Sequence, residues 1–504
     1  MPDFRRSHRL AAVLLLGFAS GLPLALTGQA MQAWLTTDGI DFATIGFFGL
    51  IGIPYTFKFL WAPLMDRFEP PWLGRRRGWL VLTQGALALI LFALSGLSPG
   101  EEPRLFAQWA VLLAFLSASQ DVVVDAYRAD VLADKSEHGL GASLHVFGYR
   151  LAMIVSGGIA LIWADQWRSW PKVYALMGGI MAGAALISLF LLPPVRGEPR
   201  PRPSSAGGEL RGFLSMLAGV GAGYLLARNA LVLIGLDPHG ADRWIRLLFV
   251  MAEILAAVPL AWWFARLARF ETLNASLTAY FAQPGAVPFL ALIVLYKLGD
   301  AFAGSLTTAF LIKGLEFSQA EVGIANKIIG IWLTIIGALI GGTLMLRVRL
   351  YRALLFFGIL QLLSNFGFYL IAVFGKGAWG GITVPPFDWL VVSLREATSL
   401  DFLLLAVVAG ENLTGGMGTV ALVALLMALC NSRFTATHYA LLSALAAVGR
   451  IYVGPVAGVL TESVGWPAFY LFSVAVAVPG IVMVRRMRAP LLMIQGTEPQ
   501  RAEA

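Results

Sequence analysis

Apolar stretches of roughly crossing length follow one another along almost the whole chain, each closed by a polar, glycine or proline break. A helix needs about 20 such residues to traverse the hydrocarbon core of a bilayer. In total 58% of the 504 residues are hydrophobic and only 13% are charged, where a soluble domain carries roughly 25% charge. The chain therefore reads as an all-α polytopic membrane protein. Cutting it at its polar breaks gives about fourteen spans of crossing length. Six lie near 10–33, 43–65, 79–98, 104–127, 142–164 and 172–192, two near 211–236 and 243–267, and six near 285–313, 322–346, 352–374, 400–429, 437–460 and 467–485.

The sixth span is followed by "PPVRGEPRPRPSSAGGE", residues 193–209, whose proline, serine, glycine and charge are those of an exposed linker. This gives a first six-helix bundle over 1–195, a linker with two inserted helices over 196–275, a second six-helix bundle over 276–490 and a cytoplasmic tail over 491–504. The net charge of +8 has a topological origin. Arg5, Arg6 and Arg9, then Arg67, Arg75, Arg76 and Arg77, then Arg196, Arg200 and Arg202 fall in alternate loops, and Arg347, Arg349, Arg352, Arg485, Arg486 and Arg488 continue the same side. Excess Lys and Arg mark cytoplasmic loops, so both termini are expected in the cytoplasm and a nucleic-acid partner is not. The single cysteine, Cys430, and five scattered histidines offer no disulfide framework and no metal-ligand spacing. Neither metal nor cofactor is expected.

The two six-helix blocks look like copies. "GIDFATIG" (39–46) matches "GLEFSQAEVG" (314–323) with two residues inserted, and both lie between the first and second spans of a block. Arg150 and Gly158 are echoed by Arg450 and Gly458, each pair in the fifth span of its block. Parallel six-helix repeats build the major facilitator superfamily, with the substrate site near the midplane between the halves. The loop "PLMDRFEPPWLGRRRGW" (63–79) also resembles that superfamily's signature between helices 2 and 3. Asp66, Arg67, Gly74, Arg75 and Arg76 match it, whereas the insertion "FEPPWL" and the missing glycine before the aspartate depart from it. The resemblance implies a cytoplasmic gate at this loop.

Four longer segments, "SASQDVVVDAYRADVL", "GYRLAMIVSGG", "YKLGDAFAGSLTTAFL" and "ENLTGGMGTVALVALLMALCNSRFTATHYALLSALAAVGR", resemble the AmpG muropeptide permeases, as does the extra helix pair. That resemblance implies an inner-membrane, proton-driven importer of N-acetylglucosaminyl-1,6-anhydro-N-acetylmuramic acid, with or without its peptide, serving peptidoglycan recycling. A related carrier of another anionic conjugate, such as acetyl-CoA, is the alternative within transport. A membrane-embedded enzyme acting on a lipid-linked sugar is the alternative outside it, but the His-Glu-x-x-His and Walker motifs are absent from the sequence. A monomer is expected.

Charge in the middle of a span costs about 2.5 to 3.5 kcal/mol on insertion scales, so intramembrane charges mark candidate sites. Asp121, Asp125 and Arg128 share one narrow helical stripe. Either a carboxylate there exchanges the coupling proton, or Asp125, Arg128 and Asp130 pair with the basic loop and lock the gate. Lys297 and Asp300, three residues apart, are a self-neutralising pair or a substrate anchor beside a proton acceptor. Glu411 is the fourth carboxylate that could couple. Arg150 suits a substrate carboxylate, which its fork can grip bidentately, or is a partner for Asp121 or Asp125. Gln29, Gln32, Gln120, Tyr149 and Asn412 offer hydrogen bonds to sugar hydroxyls or to neighbouring helices. The run "LTGGMG" after Asn412 is a close-packing surface or a break in a helix. Arg228 and Glu253 are expected to pair with each other inside the inserted helices.

Overall fold

The computed structural model describes residues 2–58, 68–71, 73–131, 135–193, 206–238, 242–268, 285–345, 347–389, 392–394, 396–429 and 435–496, with a few isolated positions between them. Its first group of helices is α1 (Pro2–Leu26), α2 (Gln29–Thr37), α3 (Phe42–Phe48), α4 (Ile53–Phe57), α5 (Arg75–Ser95), α6 (Pro103–Val131), α7 (Lys135–Met153), α8 (Ala160–Trp167) and α9 (Trp170–Phe190). The inserted pair is α10 (Ala206–Leu233) and α11 (Arg243–Leu267). The second group is α12 (Ala286–Ser305), α13 (Thr307–Ala309), α14 (Gln319–Val322), α15 (Gly330–Met345), α16 (Leu350–Phe374), α17 (Phe402–Ala428), α18 (Thr435–Arg486) and α19 (Arg488–Gly496). Three wider π-helical turns, Ile154–Ile159, Phe310–Gly314 and Gly323–Ile329, join α7 to α8, extend α13 and join α14 to α15.

Among the described residues, 12 helices are long and apolar enough to cross a membrane. The second expected span is present as the shorter apolar run Phe42–Phe57, and the last two share the continuous stretch Tyr452–Arg486. That stretch bends at Gly465, whose φ of 78° lies outside helical geometry. The first expected span is likewise divided at Thr27–Gly28, beyond Pro23, and the ninth at Leu306, where φ is −123°.

One departure from an all-helical reading lies between α16 and α17. Four short strands, β1 (Gly381–Val384), β2 (Phe387–Trp389), β3 (Val392–Leu394) and β4 (Thr398–Asp401), form two antiparallel pairs, β1 with β4 and β2 with β3. Their alternating Thr, Val, Phe and Leu favour a pleated surface, but runs of three or four residues leave little periodicity to read.

The buried core shows how the two groups meet. One cluster joins Trp34, Phe106, Trp170 and Tyr174 of the first group to Phe310, Phe368, Phe469 and Tyr470 of the second. Two further clusters are private: Val13, Leu80, Val124 and Tyr127 in the first group, and Phe289, Leu292, Phe357 and Leu425 in the second. The shared core lies toward the loops at 38–41, 315–318 and 464–466, and the private cores lie toward the arginine-rich ends of α5, α6, α16 and α18. The halves are thus packed against each other at one end of the molecule.

Candidate functional site between the two helix groups

At the packed end, repeat-related elements contact one another reciprocally. A Cβ on Gly46, the last residue of the first repeat motif, would lie 2.4 Å from the Gly454 carbonyl oxygen, and one on Gly458 would lie 2.6 Å from the Phe42 oxygen. In the same manner a Cβ on Gly323, the last residue of the second motif, would lie 2.7 Å from the Gly158 oxygen. Only glycine permits backbones to approach so closely. Polar contacts tie the same end: Gln32 Nε2 donates to the Ser305 carbonyl at 2.6 Å, which the interruption of α12 frees, and Lys313 Nζ donates to the Ile40 carbonyl at 3.2 Å. Asp41 caps α3 by accepting from the Thr44 backbone (2.9 Å) and hydroxyl (2.7 Å). Burial works to raise the pKa of its carboxyl, but these bonds and one to Glu462 hold it below the usual carboxylate value.

Beyond this closure the intramembrane charges fall into two clusters, one per group. In the first, Asp121 on α6 accepts from Lys58 Nζ at 3.4 Å and from the Ser20 hydroxyl of α1. Arg128 pairs with Asp125 at 3.2 Å; the field of both reaches His145, and that of Asp125 reaches Lys58. Asp125 is 53% exposed and Lys58 33%. Charged side chains at membrane depth face the bundle interior or a watery cavity rather than lipid, which makes this cluster a candidate site. Tyr149 and Arg150, half-buried on α7, lie on the helix that carries His145, and one guanidinium nitrogen is 4.0 Å from Met153 Sδ.

In the second cluster Asp300 of α12 accepts from Lys297 at 3.0 Å and from Gln361 of α16 at 2.7 Å. Glu411 of α17 accepts from Asn412 at 2.6 Å and feels the charges of Asp300, Lys327 and Lys297. Asn412 in turn donates to the Val408 carbonyl (2.9 Å) and accepts from Thr334 (2.9 Å). Lys327 lies on the π-turn that meets Gly158 of the other group and is 4% exposed. A lysine inside an apolar span is the same signal that singled out Lys297, and it marks Lys327 as a candidate site residue that the sequence reading passed over. Ser20, Gln361 and His145 were also passed over, being residue types common in helix contacts.

Other expected residues fall elsewhere. Gln120 is fully buried inside the first group, its amide atoms without a hydrogen-bond partner among the described residues, so it does not lie on an open wall. Gln29 is exposed at the start of α2. Asp130 accepts from Arg76 Nε at 2.7 Å, joining α6 to the start of α5, where Arg75 and Arg76 are both buried. Gly74, with φ of 76°, makes the turn into that helix. Asp66 and Arg67 lie outside the described residues. The "LTGGMG" run stays within an unbroken α17, and a Cβ on Gly416 would lie 2.3 Å from the Thr334 oxygen, so the run serves close packing on α15. Arg228 and Glu253 do meet, at 3.6 Å, within the inserted pair.

Arrangements of acids and cations at membrane depth between two helix bundles are those of a carrier, and known proteins agree. The family described as acetyl-coenzyme A transporter 1 matches residues 10–101. The anhydromuropeptide permease of Escherichia coli K12 is 44% identical over 96% of this chain and 80% of its own length. A protein named putative transporter AmpG 4, of Rickettsia conorii, is 28% identical over 95% of this chain and 96% of its own. Among solved structures, a POT family transporter in complex with 5-aminolevulinic acid superposes with a TM-score of 0.67 at 14% identity, covering 96% of both chains. Fold and sequence together place the chain in the major facilitator superfamily, and within it the chain belongs to the anhydromuropeptide permease (AmpG) family.

Proposed function

We propose that this protein imports anhydro-muropeptides, N-acetylglucosaminyl-1,6-anhydro-N-acetylmuramic acid with or without its peptide, across the bacterial inner membrane by proton symport for peptidoglycan recycling. The observation that carries this reading is identity of 44% spread over 96% of the chain to a permease of that name. In this reading the chain crosses the membrane fourteen times as a monomer, with both termini cytoplasmic and bundles over 1–195 and 276–490 flanking the inserted pair of 196–275. The packed end faces the periplasm, so the charged clusters are reached from the cytoplasm.

Alternating access then has a physical description. The substrate's carboxylates meet Arg150, Lys297 and Lys327, and its hydroxyls meet Gln29, Gln32, Tyr149 and Asn412. A proton taken by Asp121, Asp125, Asp300 or Glu411 loosens that group's hold on its cation, as any neutralised ion pair must. Released cations become available to the substrate. Arg75, Arg76, Arg128 and Asp130, with Asp66 and Arg67, would form the cytoplasmic gate when the halves close there. The test is uptake of labelled anhydro-muropeptide by proteoliposomes under an inward proton gradient. Accumulation that a protonophore abolishes and ATP does not alter supports the proposal; no gradient-dependent uptake overturns it.

The acetyl-CoA family match over 10–101 favours one second reading, a carrier of that conjugate. Labelled acetyl-CoA in the same vesicles separates the two.

A further inference from the structure

Proton and substrate chemistry leave the inserted pair without a task, yet α11 reaches the junction of the two helix groups. Arg243, at its first position, forms an ion pair with Glu462 of α18, and the other oxygen of Glu462 accepts from the Ala43 backbone nitrogen of α3 at 3.0 Å. A cation in the first turn of a helix opposes the helix dipole, so this arginine is placed at a cost that its partner must offset. Glu462 is only 10% exposed whereas Arg243 is 46% exposed. The pair therefore compensates a carboxylate that closure of the junction has largely stripped of water. Apolar contacts continue the same seam. Leu247 and Met251 follow Arg243 at intervals of four, on one face of α11, and pack with Ala43 and Phe47 of α3 and with Val456 and Val459 of α18.

We propose that Arg243 is a positioning residue of the transport cycle: through Glu462 it holds α3 and α18 together, so that the inserted pair acts as a clamp on the closed end. The inference rests on the alternating-access reading above. Contacts of α11 with α18 lie along one helix of the second group, whereas contact with α3 crosses to the first group. Only the closed state has both. An interaction present in one state alone shifts the equilibrium toward that state. Loss of Arg243 also leaves the largely buried Glu462 without its cation in the closed state, which favours separation. Other charged groups facing the junction are Asp41 of the loop before α3 and Lys313 of the second group, and neither replaces Arg243: Asp41 shares a hydrogen bond with Glu462 but brings no positive charge, and Lys313 is engaged with the Ile40 carbonyl.

The experiment uses full-length protein in lipid nanodiscs, with Cys430→Ala and nitroxide labels at Glu101→Cys and Val464→Cys, exposed positions on opposite sides of the closed end. Pulsed electron spectroscopy then gives the populations of short and long distances. Arg243→Ala should raise the long-distance population about threefold or more, a shift readily resolved for a two-state element. Arg243→Lys, which keeps the charge, should restore most of the short-distance population, and Leu247→Ala should resemble Arg243→Ala. Unchanged populations in Arg243→Ala, or equal effects of the Ala and Lys variants, overturn the clamp. Wild-type protein that keeps a single distance under every substrate and pH condition overturns alternating access itself, which distinguishes the two failures.

Discussion

Asp121 sits between two donors, Lys58 and Ser20, and its side chain is only 13% exposed. If it carries the coupling proton, Asp121→Asn keeps the size and a hydrogen-bonding group but removes the titration. Accumulation of labelled substrate against its gradient should then fall by at least about tenfold, ~1.4 kcal/mol of lost driving force, while counterflow exchange survives. Equal accumulation by the variant and the wild type would remove Asp121 from coupling. Asp41 supports a different prediction. Its pKa is lowered in the folded protein, so its stabilising contribution is present above the unfolded value near 3.9 and is lost as pH falls through the lower folded value. Asp41→Ala should cost about 1 kcal/mol at pH 7, the usual effect of removing a helix cap. Thermal melts in detergent should show that gap closing as pH falls below about 4. Charged site residues were legible because charge in an apolar span stands out, yet Lys327 was missed on the same signal. Partners were not legible at all: that Asp121 meets Lys58, and Asp300 meets Gln361, depends on how separate helices pack.

At the scale of the element, glycines do two jobs that the sequence alone does not tell apart. Gly337 packs α15 on α17 within the second group, where an added Cβ would lie 2.1 Å from the Leu413 oxygen, whereas Gly46 packs α3 on α18 between groups. Gly337→Leu should therefore lower folded yield and melting temperature, with an overpacking cost of about 1 to 3 kcal/mol. Gly46→Leu should spare each bundle and impair their closure. A short bis-maleimide cross-link between Ile40→Cys and Lys313→Cys in a Cys430→Ala background, positions bridged in the native protein by the Lys313 side chain reaching the Ile40 carbonyl at 3.2 Å, should form readily alone and poorly with Gly46→Leu. Undiminished cross-linking would contradict the assignment of Gly46 to the moving junction. Helices were legible in the sequence through apolar length, whereas the glycine run of α17 read equally as packing or as a break. The interruptions at Leu306 and the strands between 381 and 401 were not, because a break set by tertiary contacts and a strand of three or four residues leave no periodic trace.

For the whole molecule, the positive-inside pattern makes a prediction independent of transport. A fluorescent protein fused after Ala504 should fold and fluoresce, and alkaline phosphatase fused there should be inactive; the opposite result would reverse the proposed orientation. The resemblance carried by "SASQDVVVDAYRADVL" and its companions made the family legible, while the relative placement of the halves was not, since it depends on contacts between residues hundreds of positions apart. Those contacts have a consequence for ancestry. The motif ending in Gly46 meets the fifth helix of the second bundle at Gly454 and Gly458, and the motif ending in Gly323 meets the fifth helix of the first bundle at Gly158. One surface of each half touches the equivalent surface of the other, the isologous relation of a two-fold dimer. A single gene encoding six such helices would make both junctions by self-association, with one mutation altering both at once. Fusion into one chain separates their fates: each glycine contact is now free to diverge, and an added helix pair can fasten to one junction and leave its twin untouched.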